Sequence, residues 1–571
     1  MAKQRTLVLA RTSALRAPAL AVSVAVLLAA CGQQQVVKQK QAPLPPVSPA
    51  PEHVAVLHMA PGTNPIAVRA AGNSMAVSRA TPRVEVRPLQ ANREKYGEIS
   101  TNPVRETAKE PVSTFSIDVD TGSYSNVRRF LTQGQLPPVD AVRVEELVNY
   151  FPYQYAQKDP AGRPFVVQTE VVQSPWKGDA QLLRIGIGAV NQSLGSLLPA
   201  NLVFLIDVSG SMSGYNKLDL VKKTLSLLVQ QLRPQDKVTI ITYASGEQLV
   251  LPPTSGADKE AIMQAIHPLR ASGATAGADA IQMAYREAAK SFIPNGINRI
   301  FLATDGDFNV GITDFKTLKG MVAEKRKAGI SLTTLGFGID NYNERLMEQL
   351  ADAGDGNYSY IDNEREARKV LKDQLTSTLA TVAQDVKIQV EFNPATVSQY
   401  RLIGYENRML NKEDFNNDNV DAGDIGAGHT VTALHEIIPA GKSGWMPASR
   451  YQPAAKTPAE LNQEYAYINI RYKPVGASKS ELISTPVPIS TKPLQQASSD
   501  TRFAVAVAAY GQLLRGGQYT GKWGWSDTRT LAQGALGKDE FGLRAEFVEL
   551  LQAAESLSTK KPVAKAESGQ N

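Results

Sequence analysis

The chain contains the stretch Leu202-Val203-Phe204-Leu205-Ile206-Asp207-Val208-Ser209-Gly210-Ser211, in which five apolar residues run directly into a carboxylate and two hydroxyls. A short, continuous apolar run is typical of a strand that is buried on both faces of a parallel sheet. The polar side chains follow at alternate positions, at the point where this strand would end. Hard oxygen ligands gathered at a strand end indicate a candidate cation site.

The residues around this stretch alternate between predicted strands and predicted helices. Short apolar or β-branched runs predict the strands, and stretches with helical periodicity lie between them. This alternation is typical of an α/β fold, a doubly wound and mainly parallel, Rossmann-like sheet with helices on both faces. The predicted strands are residues 202–206, 237–243, 299–304 and 330–335, and the predicted helices are residues 218–232, 259–266, 278–291, 314–327, 343–353 and 364–383.

Two further loops bring oxygen atoms to the same edge of the predicted sheet. In such sheets, ligands bind beyond the carboxyl ends of the strands. One aspartate follows the strand at residues 299–304, and one threonine precedes the helix at residues 278–291. We therefore expect one metal site with five ligand residues, which are Asp207, Ser209, Ser211, Thr275 and Asp305.

The chemistry of this ligand set favours a hard divalent cation. The five residues offer only oxygen, without the His or Cys that is typical of zinc sites. Mg²⁺ or Mn²⁺ suits such a set best, and Ca²⁺ is a further candidate. Three neutral hydroxyls leave the cation under-neutralised. A carboxylate from another molecule would then complete the coordination, so that the metal becomes part of a binding contact.

At these positions the sequence resembles the von Willebrand factor A domain family. Asp207-x-Ser209-x-Ser211, Thr275 and Asp305 match the metal-ion-dependent adhesion site of that family one by one. The resemblance implies that the two serines and the threonine are direct ligands, and that the aspartates act mostly through water. It also implies a von Willebrand A-like domain over residues 199–385.

Both flanks of this domain have their own patterns. Residues 96–198 are expected to form an N-terminal flanking domain, and alternating strands predict a β-rich, sandwich-like module over residues 386–495. Helical patterning returns in a C-terminal segment and tail, residues 496–571. The flanks resemble bacterial A-domain lipoproteins in the motifs Phe115-Ser116-Ile117-Asp118-Val119-Asp120-Thr121-Gly122-Ser123-Tyr124, Arg502-Phe503, Gly534-Ala535-Leu536-Gly537-Lys538-Asp539 and Phe541-Gly542-Leu543-Arg544-Ala545-Glu546-Phe547.

The N-terminus has the features of an export signal. Residues 1–30 carry four basic residues, no acidic residue and an apolar core that is too short to span a bilayer. They end in Leu28-Ala29-Ala30-Cys31-Gly32, which resembles the lipobox of bacterial lipoproteins and implies lipidation of Cys31, the single cysteine. In the family that this motif resembles, a residue other than aspartate after the cysteine favours the outer membrane. Gly32 at this position therefore implies a protein that is anchored in the outer membrane and faces the periplasm. Residues 31–95 are rich in Gln, Ala, Val and Pro and predict a flexible tether.

The net charge of the chain argues against nucleic-acid binding. The formal net charge of +6 falls to +2 once residues 1–30, with their four basic residues, are left aside. A nearly neutral chain without a basic cluster does not predict nucleic-acid binding.

The N-terminal flanking segment contains residues that resemble two enzyme motifs. Asp120-Thr121-Gly122 resembles half of an aspartic protease site, but that chemistry needs a second carboxylate, which only a homodimer would supply. The pair Asp118 and Asp120 resembles the nucleophile and acid of aspartate-based phosphatases. A strand followed by a turn, with Ser123 as the cap of the next helix, is the structural interpretation.

One acidic loop resembles a calcium site. Residues 414–424 are rich in Asp and Asn, yet Asn419 stands where an EF-hand needs glycine and Ile425 where it needs glutamate. We therefore expect an exposed acidic turn, with weak Ca²⁺ binding as the alternative.

The sequence thus predicts a lipid-anchored envelope protein that is not an enzyme. Its A domain would use Mg²⁺ to bind an acidic group of an envelope protein partner. The alternatives are an envelope hydrolase that uses Asp118 and Asp120, and a structural envelope protein with a vestigial metal site.

Overall fold

The strands and helices follow the alternation that the sequence predicts in the middle of the chain. The computed structural model describes residues 94–117, 119–275, 277–306, 315–339, 342–447 and 463–559. The strands are β1 Arg105–Glu106, β2 Val112–Ser116, β3 Phe165–Gln173, β4 Gln181–Ala189, β5 Ala200–Asp207, β6 Lys237–Tyr243, β7 Glu247–Ser255, β8 Ile297–Thr304, β9 Ser331–Phe337, β10 Tyr358–Ile361, β11 Thr381–Phe392, β12 Val397–Ile403, β13 Ile425–Gly426, β14 Thr430–Pro439, β15 Glu464–Pro474, β16 Glu481–Pro488 and β17 Thr491–Lys492. The helices are α1 Gly122–Thr132, α2 Val144–Asn149, α3 Leu218–Gln231, α4 Lys259–Ile266, α5 Gly277–Lys290, α6 Phe315–Arg326, α7 Glu344–Ala353, α8 Glu364–Arg368, α9 Leu375–Leu379, α10 Ser499–Leu514, α11 Trp525–Gln533 and α12 Leu543–Thr559.

The central sheet has the order β10-β9-β8-β5-β6-β7 and is parallel except for β7, which runs antiparallel to β6. β5 lies in the middle, and every residue of this strand is buried. One face packs against α3, α4 and the segment of α8 and α9, and the other face packs against α5, α6 and α7. The predicted α/β class with a doubly wound, mainly parallel sheet is therefore confirmed.

In the central domain, two strands were not predicted, and one predicted helix ends earlier than expected. β7 was not predicted, because this edge strand is half exposed and lacks a continuous apolar run. β10 has only four residues. The helix expected over residues 364–383 ends at Leu379, and β11 begins at Thr381, where β-branched residues favour extended backbone.

The flanking segments form a β-sandwich together. One sheet has the order β1-β12-β14-β4-β3-β17, and the second has the order β13-β11-β15-β16, with β2 added to β11. Side chains from both sheets share one hydrophobic core. The N-terminal segment at residues 96–198 supplies β1 to β4, so it pairs directly with strands of the β-rich module rather than forming sheets of its own.

A second core joins the first two helices to the last three. α10, α11 and α12 pack with α1 and α2, and Phe151, Phe503 and Phe547 contact one another edge to face within this cluster. Ser123 lies in α1 but does not cap it. Its hydroxyl donates to the carbonyl of Ala141 at 2.7 Å, because the side chain faces the loop before α2.

The N-terminal expectations concern residues that lie almost entirely outside the described part of the chain. The signal segment at residues 1–30, Cys31 and the tether at residues 31–93 belong to this group. Within the described residues, every helix is too short or too polar to cross a bilayer.

Acid should destabilise the β-sandwich through His435, which is fully buried. Burial lowers the pKa of this imidazole from 6.5 to about 3. Between these two pH values the unfolded chain binds a proton that the folded chain does not bind. The free energy of unfolding should therefore fall as the pH drops below 6.5, by about 1.4 kcal/mol for each pH unit from this residue.

Urea unfolding between pH 7 and pH 5 measures this slope. The slope of the unfolding free energy against pH gives the number of protons taken up on unfolding. In His435→Asn we expect this number to be smaller by one. His267→Asn is the matched substitution of an exposed histidine, at the end of α4. Equal slopes for wild type and His435→Asn would contradict the prediction.

Candidate metal site

Asp207 is the last residue of β5 and is fully buried. Its Oδ1 accepts a hydrogen bond from the backbone N–H of Ser209 at 2.9 Å, and its Oδ2 accepts one from the hydroxyl of Thr304 at 2.8 Å. Burial raises the pKa of Asp207 to about 6, the hydrogen bonds from Ser209 oppose this shift, and the nearby charge of Asp305 adds to it. The carboxylate is thus fixed in orientation and lacks a full compensating charge, which is the condition that a bound cation would relieve.

Ser209 and Ser211 stand in the turn that follows β5. The two hydroxyl oxygens lie 3.0 Å apart. The Ser209 side chain is buried, and that of Ser211 is partly exposed. The two serines are two residues apart in the sequence, and the turn brings their hydroxyl oxygens close together, with Ser211 on the solvent side.

The loop that carries Thr275 is hydrogen bonded to this turn. The N–H of Gly210 donates to the carbonyl of Gly273 at 2.9 Å, and the N–H of Ser272 donates to the carbonyl of Val208 at 2.8 Å. Gly273 has φ +83°, and a Cβ at this position would lie 2.6 Å from the hydroxyl of Ser245. Only glycine lets the loop approach so closely. Thr275, which is 7% exposed, is thereby held at the same edge of the sheet.

Asp305 follows β8 directly and is fully buried. Its Oδ2 accepts a hydrogen bond from the ammonium of Lys217 at 3.1 Å. Lys217 was not among the predicted site residues. Its side chain crosses Gly338, where a Cβ would lie 2.5 Å from Lys217 Cε, so the contact depends on a glycine more than one hundred residues away that sequence spacing does not point to.

The geometry fits an octahedral cation of the Mg²⁺ type. Mg²⁺ holds oxygen ligands at about 2.1 Å, so two adjacent ligands of an octahedron lie about 3 Å apart. The hydroxyls of Ser209 and Ser211, which form a hydrogen bond with each other, have this separation. Within the described residues, no group of three or more His, Cys, Asp or Glu side chains is placed to hold a metal.

Replacing Lys217 should tighten Mg²⁺ binding. The ammonium offsets the charge of Asp305, and it would repel a divalent cation bound between the two aspartates. We expect Lys217→Met to lower the dissociation constant for Mg²⁺ by roughly tenfold in calorimetric titrations at low salt. Lys222→Met on α3 is the matched control, because that ammonium donates to the carbonyl of His267 instead. Weaker binding in Lys217→Met would contradict this role.

Asp120, which belongs to the segment that resembles an enzyme motif, has a structural role. Asp120 is 4% exposed. It accepts hydrogen bonds from the N–H of Tyr358 at 2.8 Å and from the guanidinium of Arg408 at 2.9 Å. Both oxygens thus join the flank to the A domain and to the β-sandwich. Asp118, the other member of the pair, lies outside the described residues.

The acidic loop is more than an exposed turn, because two of its carboxylates have cationic partners. Asp418 accepts from Arg471 at 3.1 Å, and Asp421 accepts from Arg326 at 2.6 Å. These pairs tie the loop to β15 and to α6.

The comparisons with known families agree with this architecture. The family model described as von Willebrand factor type A domain matches residues 201–374, a second von Willebrand factor model matches residues 90–184, and the model for the C-terminal region of the uncharacterized protein YfbK matches residues 377–557. The centre of the chain is therefore a von Willebrand A domain. Such domains commonly bind a divalent metal at a site of this type.

A relative that matches most of the chain identifies its family. The uncharacterized protein YfbK of Escherichia coli K12 is 48% identical over 472 residues, which is 81% of each chain. The chain belongs to this bacterial family, in which a von Willebrand A domain stands between flanking regions. The predicted resemblance to bacterial A-domain proteins with family-specific flanks is thus confirmed.

More distant relatives match the middle of the chain. Human inter-alpha-trypsin inhibitor heavy chain H4 is 32% identical over 184 residues, which is 31% of this chain but only 19% of that protein. The crystal structure of the ArnB paralogue VWA2 from Sulfolobus acidocaldarius covers 69% of this chain and 98% of its own at 18% identity, with a TM-score of 0.35. These likenesses are too partial or too distant to carry a function over.

Proposed function

We propose that this protein is an envelope binding protein, whose A domain uses a divalent cation to bind an acidic group of a protein partner. The proposal rests on the two hydroxyls held 3.0 Å apart beside two buried carboxylates at the edge of the sheet. A von Willebrand A domain suggests a role in protein interaction or adhesion. Mg²⁺ is the proposed metal, with Mn²⁺ and Ca²⁺ as alternatives.

The ligand set supports an open metal site. A bound divalent cation would supply positive charge and a coordination position for an outside carboxylate. Ser209, Ser211 and Thr275 would contribute neutral oxygens, and Asp207 and Asp305 would orient them and supply negative charge. Because Lys217 offsets part of that charge, the site keeps a preference for an anionic partner group.

The surface next to the site offers a contact for a protein. Tyr215 lies in the loop after Ser211, and its side chain is 85% exposed. An exposed tyrosine provides both apolar area and a hydroxyl, which is why tyrosine is common at the centre of protein interfaces. An acidic side chain next to an apolar residue is the partner chemistry that this surface fits.

Capture from an envelope extract tests the proposal. Wild-type protein and Asp207→Asn are immobilised in parallel, each in Mg²⁺ and in EDTA. We expect a partner to stay on wild type in Mg²⁺, to leave in EDTA, and to be absent from Asp207→Asn. A partner held equally by all four samples would show that the metal site is not the binding contact.

We further propose that Cys31 carries the membrane anchor. Acyl chains contribute about 0.8 kcal/mol for each buried CH₂ group, so several chains hold a protein at a membrane stably. Cys31→Ser should therefore move the protein from the outer-membrane fraction to the soluble periplasmic fraction in cell fractionation. Unchanged fractionation would contradict the anchor and would leave the proposal for the metal site standing.

A further inference from the structure

A cavity of about 460 Å³ lies at the end of the central sheet opposite the metal site. It is lined by the first residues of β8 and β9, by the link from α9 to β11, and by the acidic loop before β13. The eight residues of β5 separate it from Asp207 by about 23 Å. The cavity therefore belongs to a different part of the molecule, between the A domain and the β-sandwich.

Arg299 supplies a buried positive charge to this cavity. The side chain is only 4% exposed and lines the cavity wall. One terminal nitrogen donates to the hydroxyl of Thr333 at 2.6 Å, and Nε has no hydrogen-bond partner within the described residues. In the same part of the chain, no carboxylate lies within 4.0 Å of the guanidinium. The nearby carboxylates of Asp424 and Asp355 offset the cost of burying this guanidinium only in part, since burial still lowers its pKa. An anion in the cavity would relieve the remaining cost.

The cavity lining also carries carboxylates. Asp355 is one of them, and within the described residues its only ion pair is with the guanidinium of Arg326, which also pairs with Asp421 outside the lining. The carboxylate of Asp424 also lines the cavity and accepts a hydrogen bond from the N–H of Asp385 at 3.1 Å. Within the described residues, Asp424 has no cation within 4.0 Å, and burial raises its pKa. A cation beside Asp424 would offset its charge.

We infer that this cavity binds a free α-amino acid, whose carboxylate pairs with Arg299 and whose ammonium group pairs with Asp424. The planar guanidinium is suited to a carboxylate, to which it can donate two parallel hydrogen bonds. The volume falls within the range of small-ligand sites. Leu379 and Val475 also line the cavity and offer apolar contact to the side chain of the amino acid.

The position of the cavity gives binding a second effect. The A domain supplies Arg299, and the loop before β13 supplies Asp424. A bound zwitterion would therefore connect the A domain to the β-sandwich and stabilise their contact. By mass action, any ligand of the folded state raises the unfolding temperature.

Calorimetric titration and thermal unfolding of the full chain without residues 1–31 test the inference. The probes are alanine, leucine, glutamate and lysine, and acetate and ethylammonium are controls that each carry one of the two charges. We expect saturable binding and a higher unfolding temperature with at least one amino acid, and neither effect with either control. No binding of any amino acid up to about 10 mM would overturn the inference, and so would acetate binding as tight as that of the amino acids.

Two variants assign the binding to the cavity. Arg299→Gln and Asp424→Asn should each raise the dissociation constant of the amino acid at least roughly tenfold, because each removes one charge-assisted contact. Asp424 is partly exposed, so Asp424→Asn keeps the test valid even if the buried Arg299→Gln does not fold. Asp236→Asn, at the same end of the sheet but outside the cavity lining, is the control and should bind as wild type does. Unchanged affinity in Asp424→Asn would overturn the assignment.

Discussion

Asp207→Asn should weaken Mg²⁺ binding by roughly 100-fold, a loss at the upper end of those seen when residues that orient metal ligands are changed. The amide keeps the shape of the carboxylate and its contact with Ser209, but it removes the negative charge at the end of β5. Since the carboxylate has a raised pKa in the folded protein, it costs stability at neutral pH when no metal is bound. The metal-free variant should therefore unfold at the same temperature as wild type or at a higher one.

Isothermal titration with Mg²⁺ and thermal unfolding in EDTA measure these two effects. Asp236→Asn is the control for a buried carboxylate, because Asp236 lies at the opposite end of the same sheet and accepts from the N–H of Ala200 at 3.0 Å. It should lower stability and leave Mg²⁺ affinity unchanged. Wild-type affinity in Asp207→Asn would show that the strand end does not bind the metal.

Arg128→Met should destabilise the protein by about 3–5 kcal/mol, because it removes the guanidinium that pairs with the buried carboxylates of Asp362 and Glu366 and with Glu546. The guanidinium of Arg128 is 3% exposed and lies 2.5 Å from Asp362, 2.8 Å from Glu366 and 3.1 Å from Glu546. It also donates to the hydroxyl of Tyr150 at 2.9 Å. One side chain of α1 thus joins the last helices of the A domain to the C-terminal helix α12.

The midpoint of urea unfolding at pH 7.5 measures this loss. Arg365→Met is a close control, because Arg365 contacts the same Glu546 at 3.2 Å but is 45% exposed. Exposed pairs contribute about 0–1 kcal/mol, so this control should stay near wild type. Similar losses in the two variants would contradict the buried role of Arg128.

Elements with a strong local pattern could be predicted from the sequence. β5, β6 and β8 are continuous apolar runs, and the residues that follow β5 and β8 are therefore expected at one edge of the sheet. Asp207, Ser209, Ser211 and Asp305 follow these two strands. This inference works because parallel strands share one direction, so that chain order alone fixes which end each loop occupies.

Features that depend on distant residues could not be predicted in this way. Arg128 lies 234 residues from Asp362 and 418 residues from Glu546, and no local periodicity marks these pairs. The separate N-terminal and β-rich segments pair strand by strand because β4 and β14 are neighbours in space, although more than two hundred residues separate them. Lys217 reaches Asp305 only because Gly338 leaves room for its side chain.

The central claim is that the end of β5 holds a divalent cation, and diffraction from crystals grown with Mn²⁺ tests it most directly. An anomalous difference map measured at the Mn absorption edge locates the ion without reference to the protein. We predict a peak about 2.1–2.2 Å from the hydroxyl oxygens of both Ser209 and Ser211. Ordered density for these residues in saturating Mn²⁺, with no anomalous peak between them, would contradict the account.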